Sequence, residues 1–345
     1  MSVTTVMMRV LADAVAPYGV SVDELALGTT VAPELFALPD GVVRQNDYEQ
    51  LVRRAVVLTG DTAFGLHWAE RSTFAAFDLI GHVTAAVSTF GDALGVLRDL
   101  YPLISDGGEL ALRADADAAT VAFYLRPSEP PVSHVREEFI SATCVRLLRL
   151  FAGSSGMPSS ANFTYAAPAH RAEYTRFFGG RERFEQPFTG IVVDRALLDA
   201  KRLFHDTELE RDLRARAESR LQRTRAHAPH ARRVADCLSE EPFVARSSMK
   251  AIAGRLGMSE RSLRRHLASE GAAFPTLRTQ ALSSRAKQLL AETTLPIKEV
   301  AFSLGFSDPT AFHRAFRGWT GLTPATFRAA AAPDARGDDS DLRSS

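Results

Sequence analysis

Apolar positions between residues 240 and 330 fall twice into one pattern. Ile252-Ala253-x-x-Leu256-Gly257-Met258-Ser259, with Leu263 and Leu267 after it, recurs as Val300-Ala301-x-x-Leu304-Gly305-Phe306-Ser307, with Phe312 and Phe316 after it. Apolar residues three and four apart mark one face of a helix. Each glycine falls where a helix needs a left-handed end, and Ser259 can cap the helix that follows. Each copy therefore predicts a helix, a tight turn and a second helix. Met249 and Ile297 extend the two leading helices, Pro309 suits a first helical turn, and Trp319 is expected to pack inward beside Phe312 and Phe316. Between the copies, Pro275 to Glu292 reads as one helix through Leu277, Ala281, Leu282, Ala286, Leu289 and Leu290, roughly 27 Å long at 1.5 Å per residue.

Upstream the periodicity is mixed. Asp47 to Thr59 places Tyr48, Leu51, Ala55 and Leu58 on one helical stripe, and Phe90 to Tyr101 does the same with Ala93, Leu94, Leu97 and Tyr101. Thr120 to Leu125 and Thr189 to Val193 are short β-branched or aromatic runs between turn residues, which predict strands. From Thr207 to Arg225 the pattern becomes a highly charged helix, with Asp206 as N-cap and Leu209, Leu213, Ala217 and Leu221 spaced by four, ended by Pro229. That stripe suits packing on its own domain or pairing with a second subunit, and amphipathic helices mostly face their own core.

The expected architecture is an α+β domain over residues 1–200, a charged helix and linker over 201–230, an all-α domain over 231–330 with two helix-turn-helix units joined by a long helix, and a disordered tail over 331–345. The linker falls near Ala226 to His230. A chain of 345 residues with 46% apolar content supports two packed cores. No apolar run reaches the roughly 20 residues a membrane helix needs, and no signal peptide is evident, so a cytoplasmic protein without membrane contact is expected. Cys144 and Cys237 lie far apart without metal-ligand spacing, and read as two buried free thiols. His227 and His230 lack a third ligand and read as solvated linker residues. No catalytic motif appears, and neither enzymatic activity, a cofactor nor a metal site is expected.

Net charge changes the picture. It is zero overall, but residues 240–330 hold 13 Lys or Arg against 7 Asp or Glu, while residues 1–239 hold 26 against 30. The excess positive charge sits on the repeat, as a phosphate-binding surface requires. With Leu263 and Leu267 inward, Arg261, Arg264 and Arg265 point outward, three side chains suited to guanine edges or phosphates. With Phe312 and Phe316 inward, the outward set is Thr310, His313, Arg314 and Arg317. A single helix-turn-helix corner is a weak signal, since many all-α domains contain one. Two basic copies in register, held by a rod about one DNA turn apart, are a much stronger signal and point to double-stranded DNA.

At these residues the chain resembles the AraC/XylS family of bacterial transcription regulators. The resemblance covers about Ala231 to Arg328, and its most specific stretch runs from Leu304-Gly305-Phe306-Ser307-Asp308-Pro309 through Trp319-Thr320-Gly321-Leu322-Thr323-Pro324 to Phe327-Arg328. It implies that positions 261, 264, 265, 310, 313 and 314 face the groove. One position departs: where many members carry an arginine in the connecting helix, this chain has Leu282, with Arg285 nearly one turn on. Gly60-Asp61-x-x-Phe64-Gly65-Leu66, Gly81-His82, Thr89-Phe90-Gly91-Asp92-Ala93-Leu94 and the run from Phe177-Phe178-Gly179 to Phe188 are similar to the arabinose-binding-like sensor domain of a subset of that family. The resemblance implies promoter DNA and RNA polymerase as partners, activation, and an effector of unnamed class. The competing reading makes the first domain a dimerisation or protein-contact module without a ligand. The 13 phenylalanines of residues 1–200 suit either an apolar pocket or plain core. His67, His82, His134 and His170 are candidates to orient a ligand, though each is more commonly a structural histidine.

Overall fold

The protein is described from a computed structural model covering residues 2–331, apart from 40, 106, 126–133, 154–155, 203–204, 227–229 and 271. His227, Pro229 and nearly all of the expected tail lie outside the described residues.

The first 200 residues are α+β. The strands are β1 (Ser2–Thr4), β2 (Val42–Arg44), β3 (Gly108–Ala114), β4 (Ala118–Leu125), β5 (Ser160–Asn162), β6 (Glu182–Arg183) and β7 (Thr189–Asp194). β1 and β2 form an antiparallel pair. The others form one sheet in the order β3-β4-β7-β5-β6, antiparallel except for the parallel β5/β6 edge. Around them lie α1 (Thr5–Val15), α2 (Val22–Ala26), α3 (Gln45–Thr59), α4 (Phe64–Arg71), α5 (Asp78–Ala86), α6 (Phe90–Leu100), α7 (His134–Ala152) and α8 (Arg171–Phe178). Trp68 ties three of these together: its ring stacks on Phe139 of α7 at 3.9 Å between centroids, and its indole N–H donates to the Val10 carbonyl of α1 at 3.1 Å. Both predicted strand runs and both predicted helices form. Leu58, however, is 37% exposed, and Val52 is buried in its place. At about 100° per residue, Leu58 has rotated to the edge of the stripe that Tyr48 centres, whereas Val52 stays within it.

Helix α9 (Thr207–Ala226) starts as read, with Asp206 Oδ1 accepting from the N–H groups of Glu208 and Leu209 at 3.0 Å each. Leu213, Ala217 and Leu221 turn onto the first core, and Arg220 pairs with Asp78 at 2.5 Å. Leu209, in the first turn, is 52% exposed. Three of the four stripe positions thus pack within the chain.

The remainder is all-α: α10 (His230–Ser239), α11 (Met249–Arg255), α12 (Glu260–Ser269), α13 (Phe274–Glu292), α14 (Ile297–Ser303), α15 (Pro309–Thr320) and α16 (Pro324–Ala331). It has its own core, with Leu263, Ala286, Leu290, Val300, Phe312 and Phe316 at 0% exposure. Burying each of the two phenylalanines stabilises by about 1.5–3 kcal/mol. Helix α13 lies against β3, and Tyr124 of β4 meets Phe327 of α16 at 6.0 Å between centroids. Cys144 is buried as read, but Cys237 is only half-buried, because α10 covers its core with Val234 and Leu238 and leaves position 237 beside that stripe.

Candidate nucleic-acid interface

The first unit is built by local rules. Ser248 caps α11 by accepting from Ala251 N–H, and Gly257 takes φ +70°, so that Met258 N–H reaches back to the Ala253 carbonyl at 3.0 Å. Ser259 then caps α12 by accepting from Ser262 N–H at 3.2 Å. Leu263 and Leu267 face the core, and Arg261, Arg264 and Arg265 are exposed on the free side. Arg264 is not unpartnered: its Nη2 lies 2.7 Å from Glu260 Oε1. An exposed pair at this spacing contributes about 0.3–0.5 kcal/mol, little enough for a phosphate to displace. Arg261 and Arg265 have no ion-pair partner among the described residues.

The second unit repeats the geometry 48 residues on, with Gly305 at φ +92° and Phe306 N–H donating to the Ala301 carbonyl at 3.0 Å. Asp308 caps α15 through the N–H groups of Thr310 and Ala311 at 2.9 and 3.3 Å. The Thr310 N–H, with help from the Arg314 charge, holds the Asp308 carboxyl below the usual carboxylate range. Thr310, Arg314 and Arg317 are exposed. His313 is half-buried, its ring 6.2 Å from Phe312, and so presents only part of itself to that face.

More than the connecting helix holds the two units in register. Helix α13 has 19 residues, roughly 28 Å. The segment ahead of α11 also binds the second turn directly, with Ala245 N–H to the Leu304 carbonyl at 2.9 Å and Arg246 Nε to the Gly305 carbonyl at 3.1 Å. These bonds had no signal in the sequence, because they join segments nearly 60 residues apart. Leu282, at the departure from the family pattern, is buried in this core, while Arg285 bonds Gln288 on the surface. His230 is not a solvated linker residue. Glu270, at the end of α12, accepts from the N–H groups of His230 and Ala231 at 2.8 Å each, and the His230 ring stacks on His266 at 4.0 Å. Burial alone would raise the Glu270 pKa, but those N–H donors outweigh it and the carboxyl sits below its ordinary value.

The four candidate histidines of the first domain each have a protein partner. His67 lies between Asp61 (2.7 Å) and Glu173 (3.3 Å), and His82 bonds the Asp78 carbonyl at 2.7 Å. His134 stacks on Tyr165 at 3.9 Å, and His170 bonds Glu138 at 2.9 Å. Ten of the phenylalanines are buried in core, Phe64, Phe90, Phe163 and Phe178 completely. A groove of about 2070 Å³ lies instead between the two cores, with Gln45, Tyr101, Leu103 and Glu109 on one side and Ala235, Asp236, Glu270 and Leu277 on the other. No helix among the described residues is long and apolar enough to cross a membrane.

Residues 19–201 match the family described as the arabinose-binding domain of AraC transcription regulator, N-terminal, and residues 252–330 match a helix-turn-helix domain. The chain is similar to the ornithine utilization regulator of Pseudomonas aeruginosa, 29% identical over 320 residues, covering 93% of this chain and 94% of that one. It is also similar to the HTH-type transcriptional regulator VirS of Mycobacterium tuberculosis, 27% identical over 318 residues, covering 88% and 92%. Among solved structures, the transcriptional regulator CdpR from Pseudomonas aeruginosa aligns over 94% of this chain and 98% of its own, at 22% identity and a TM-score of 0.47.

Proposed function

The chain belongs to the AraC family of DNA-binding helix-turn-helix transcription regulators, and from that premise we propose that it reads two successive major-groove segments of promoter DNA and does so in response to a small molecule. One observation carries the reading of DNA: Arg261, Arg265, Thr310, Arg314 and Arg317 are exposed on two capped helices that share one core. In this reading Arg261 and Arg265 approach base edges, Arg264 exchanges Glu260 for a phosphate, and the second helix adds Thr310, His313, Arg314 and Arg317. The effector acts through residues 1–200, and the domain that reads DNA spans 231–330. Support for a small-molecule effector comes from the matched sensor family and from a relative named for ornithine utilization. Activation, contact with RNA polymerase and a homodimer follow from family habit.

Binding of the full chain to its own upstream DNA, followed by fluorescence anisotropy, tests the reading. Affinity should fall steeply as salt rises, because bound phosphates release counterions. Arg265→Ala should weaken binding by about 1–3 kcal/mol and relax base preference at one position. A uniform loss across all sequences would move Arg265 from base to phosphate, and salt-independent or absent binding would refute the proposal.

A further inference from the structure

The sensor sheet and the helical domain meet along a seam with positive charge on both sides. In β3, Leu110 and Leu112 turn to the sensor core, so the alternation of the strand sends Arg113 to the opposite face, towards the helical domain. Directly across the strand pair from Arg113 is Thr120, 3% exposed, whose hydroxyl has no hydrogen-bond partner. From the other domain comes Arg328, next to the Phe327 ring that meets Tyr124, while Lys287 Nζ of α13 sits 5.7 Å above that same tyrosine. Nη1 of Arg113 and both Nε and Nη2 of Arg328 are buried without a hydrogen-bond partner among the described residues. Burial first, and the like charge of Arg113 second, push Arg328 below the ordinary guanidinium range. Asp115 feels the Arg113 charge, but its Oδ1 accepts from the N–H groups of Asp117 and Ala118.

Buried guanidinium donors left unpaired beside a like charge are costly, and a planar oxyanion removes both costs at once. We propose that this seam is a binding site for a small-molecule carboxylate, bridged between Arg113 of the sensor sheet and Arg328 of the helical domain, with the Thr120 hydroxyl as third donor. The inference rests on the effector-responsive reading above and gives that effector a chemical class and a place. A ligand that touches both domains binds according to how they are docked, which is the differential affinity that any shift of population requires. A second source of the same chemistry lies in the chain itself, since Asp334, Asp338, Asp339 and Asp341 follow α16 in the sequence.

The test is thermal unfolding of the full chain and of a chain ending at Ala331, at constant ionic strength, with chloride replaced by acetate, succinate or octanoate. Arg113→Met and Arg328→Met, singly and together, are carried in parallel. Without carboxylate, each single Met variant should raise the midpoint by about 2 °C or more, and the double variant should add little, because removing either cation ends the repulsion. At least one carboxylate should raise the wild-type midpoint saturably, by about 5 °C at a hundredfold excess over Kd, and leave the Met variants unmoved. A response confined to the chain ending at Ala331 would assign the site to the acidic tail and overturn a small-molecule ligand. Single variants that lower the midpoint, with no carboxylate response that depends on them, would overturn the site itself. If DNA binding still responds to a metabolite equally in wild type and in both Met variants, the effector reading stands and the seam does not carry it.

Discussion

Gly257 and Gly305 occupy equivalent places in the two turns, yet the structure asks different things of them. Both hold left-handed backbone, at φ +70° and +92°, where a side chain costs about 1–2 kcal/mol. A Cβ at Gly257 would meet nothing within 4 Å, whereas one at Gly305 would come within 3.2 Å of the Phe243 Cβ and 3.3 Å of its carbonyl oxygen. Gly305→Ala should therefore destabilise the helical domain more than Gly257→Ala, because Phe243 must move and with it the link from Arg246 to the Gly305 carbonyl. Hydrogen exchange of the α14 and α15 amides measures the difference, and equal protection in the two variants would show that the link carries no stability. Each glycine was legible as a turn former, since the apolar spacing around it is local. The closeness of Phe243 was not, because the fold alone brings it there. The Glu260–Arg264 pair lies between these extremes: its spacing of four is written in the sequence, but counting outward residues on α12 treats all three arginines alike.

At the scale of the element, the recognition helices are set by their first turns. Asp308 is a charged cap on an exposed helix end, with its carboxyl held below the usual range by the N–H of Thr310. The sign follows: a group whose folded pKa is depressed contributes stability that is complete above its unfolded value, about 4, and is lost as pH falls through the folded value. The first turn of α15 should accordingly fray below about pH 4, seen as loss of protection at the amides of Thr310 and Ala311. Asp308→Asn keeps a capping oxygen but does not titrate, so its first turn should be insensitive over that window. Fraying at the same pH in the Asn variant would assign the loss to another carboxylate. The Ser259 cap and the apolar stripes and turns of the two units were readable because helix boundaries depend on residues within four positions, whereas the Ser248 and Asp308 caps were not named from the sequence. What escaped was where stripes end against neighbours: Leu58 and Leu209 carry the right spacing and still face solvent.

For the whole molecule, the placement of the domains constrains how any signal can pass. The sheet of the first domain docks on α13 and α16, the scaffold of the helical domain, while Arg261, Arg265, Thr310, Arg314 and Arg317 remain exposed. Docking leaves the exposed faces of α12 and α15 uncovered, so in the proposed reading what it can alter is the relation of the helical scaffold to the β3–β4 sheet. A ligand at the Arg113–Arg328 seam and DNA at α12 and α15 would then be linked through one docking equilibrium. Linkage makes that coupling reciprocal: if saturating carboxylate changes DNA affinity by some factor, saturating DNA must change carboxylate affinity by the same factor, within a usual range of about 5–150-fold. Two titrations of the full chain measure it, DNA with and without carboxylate, and carboxylate with and without DNA. Equal factors are expected in the wild type, collapsing towards one in Arg328→Met, where the bridge is cut on the DNA-reading side without touching either recognition helix. Carboxylate binding that leaves DNA affinity unchanged would make the seam a stabilising site only, and would move the regulatory contact to the groove beside α10 and α13.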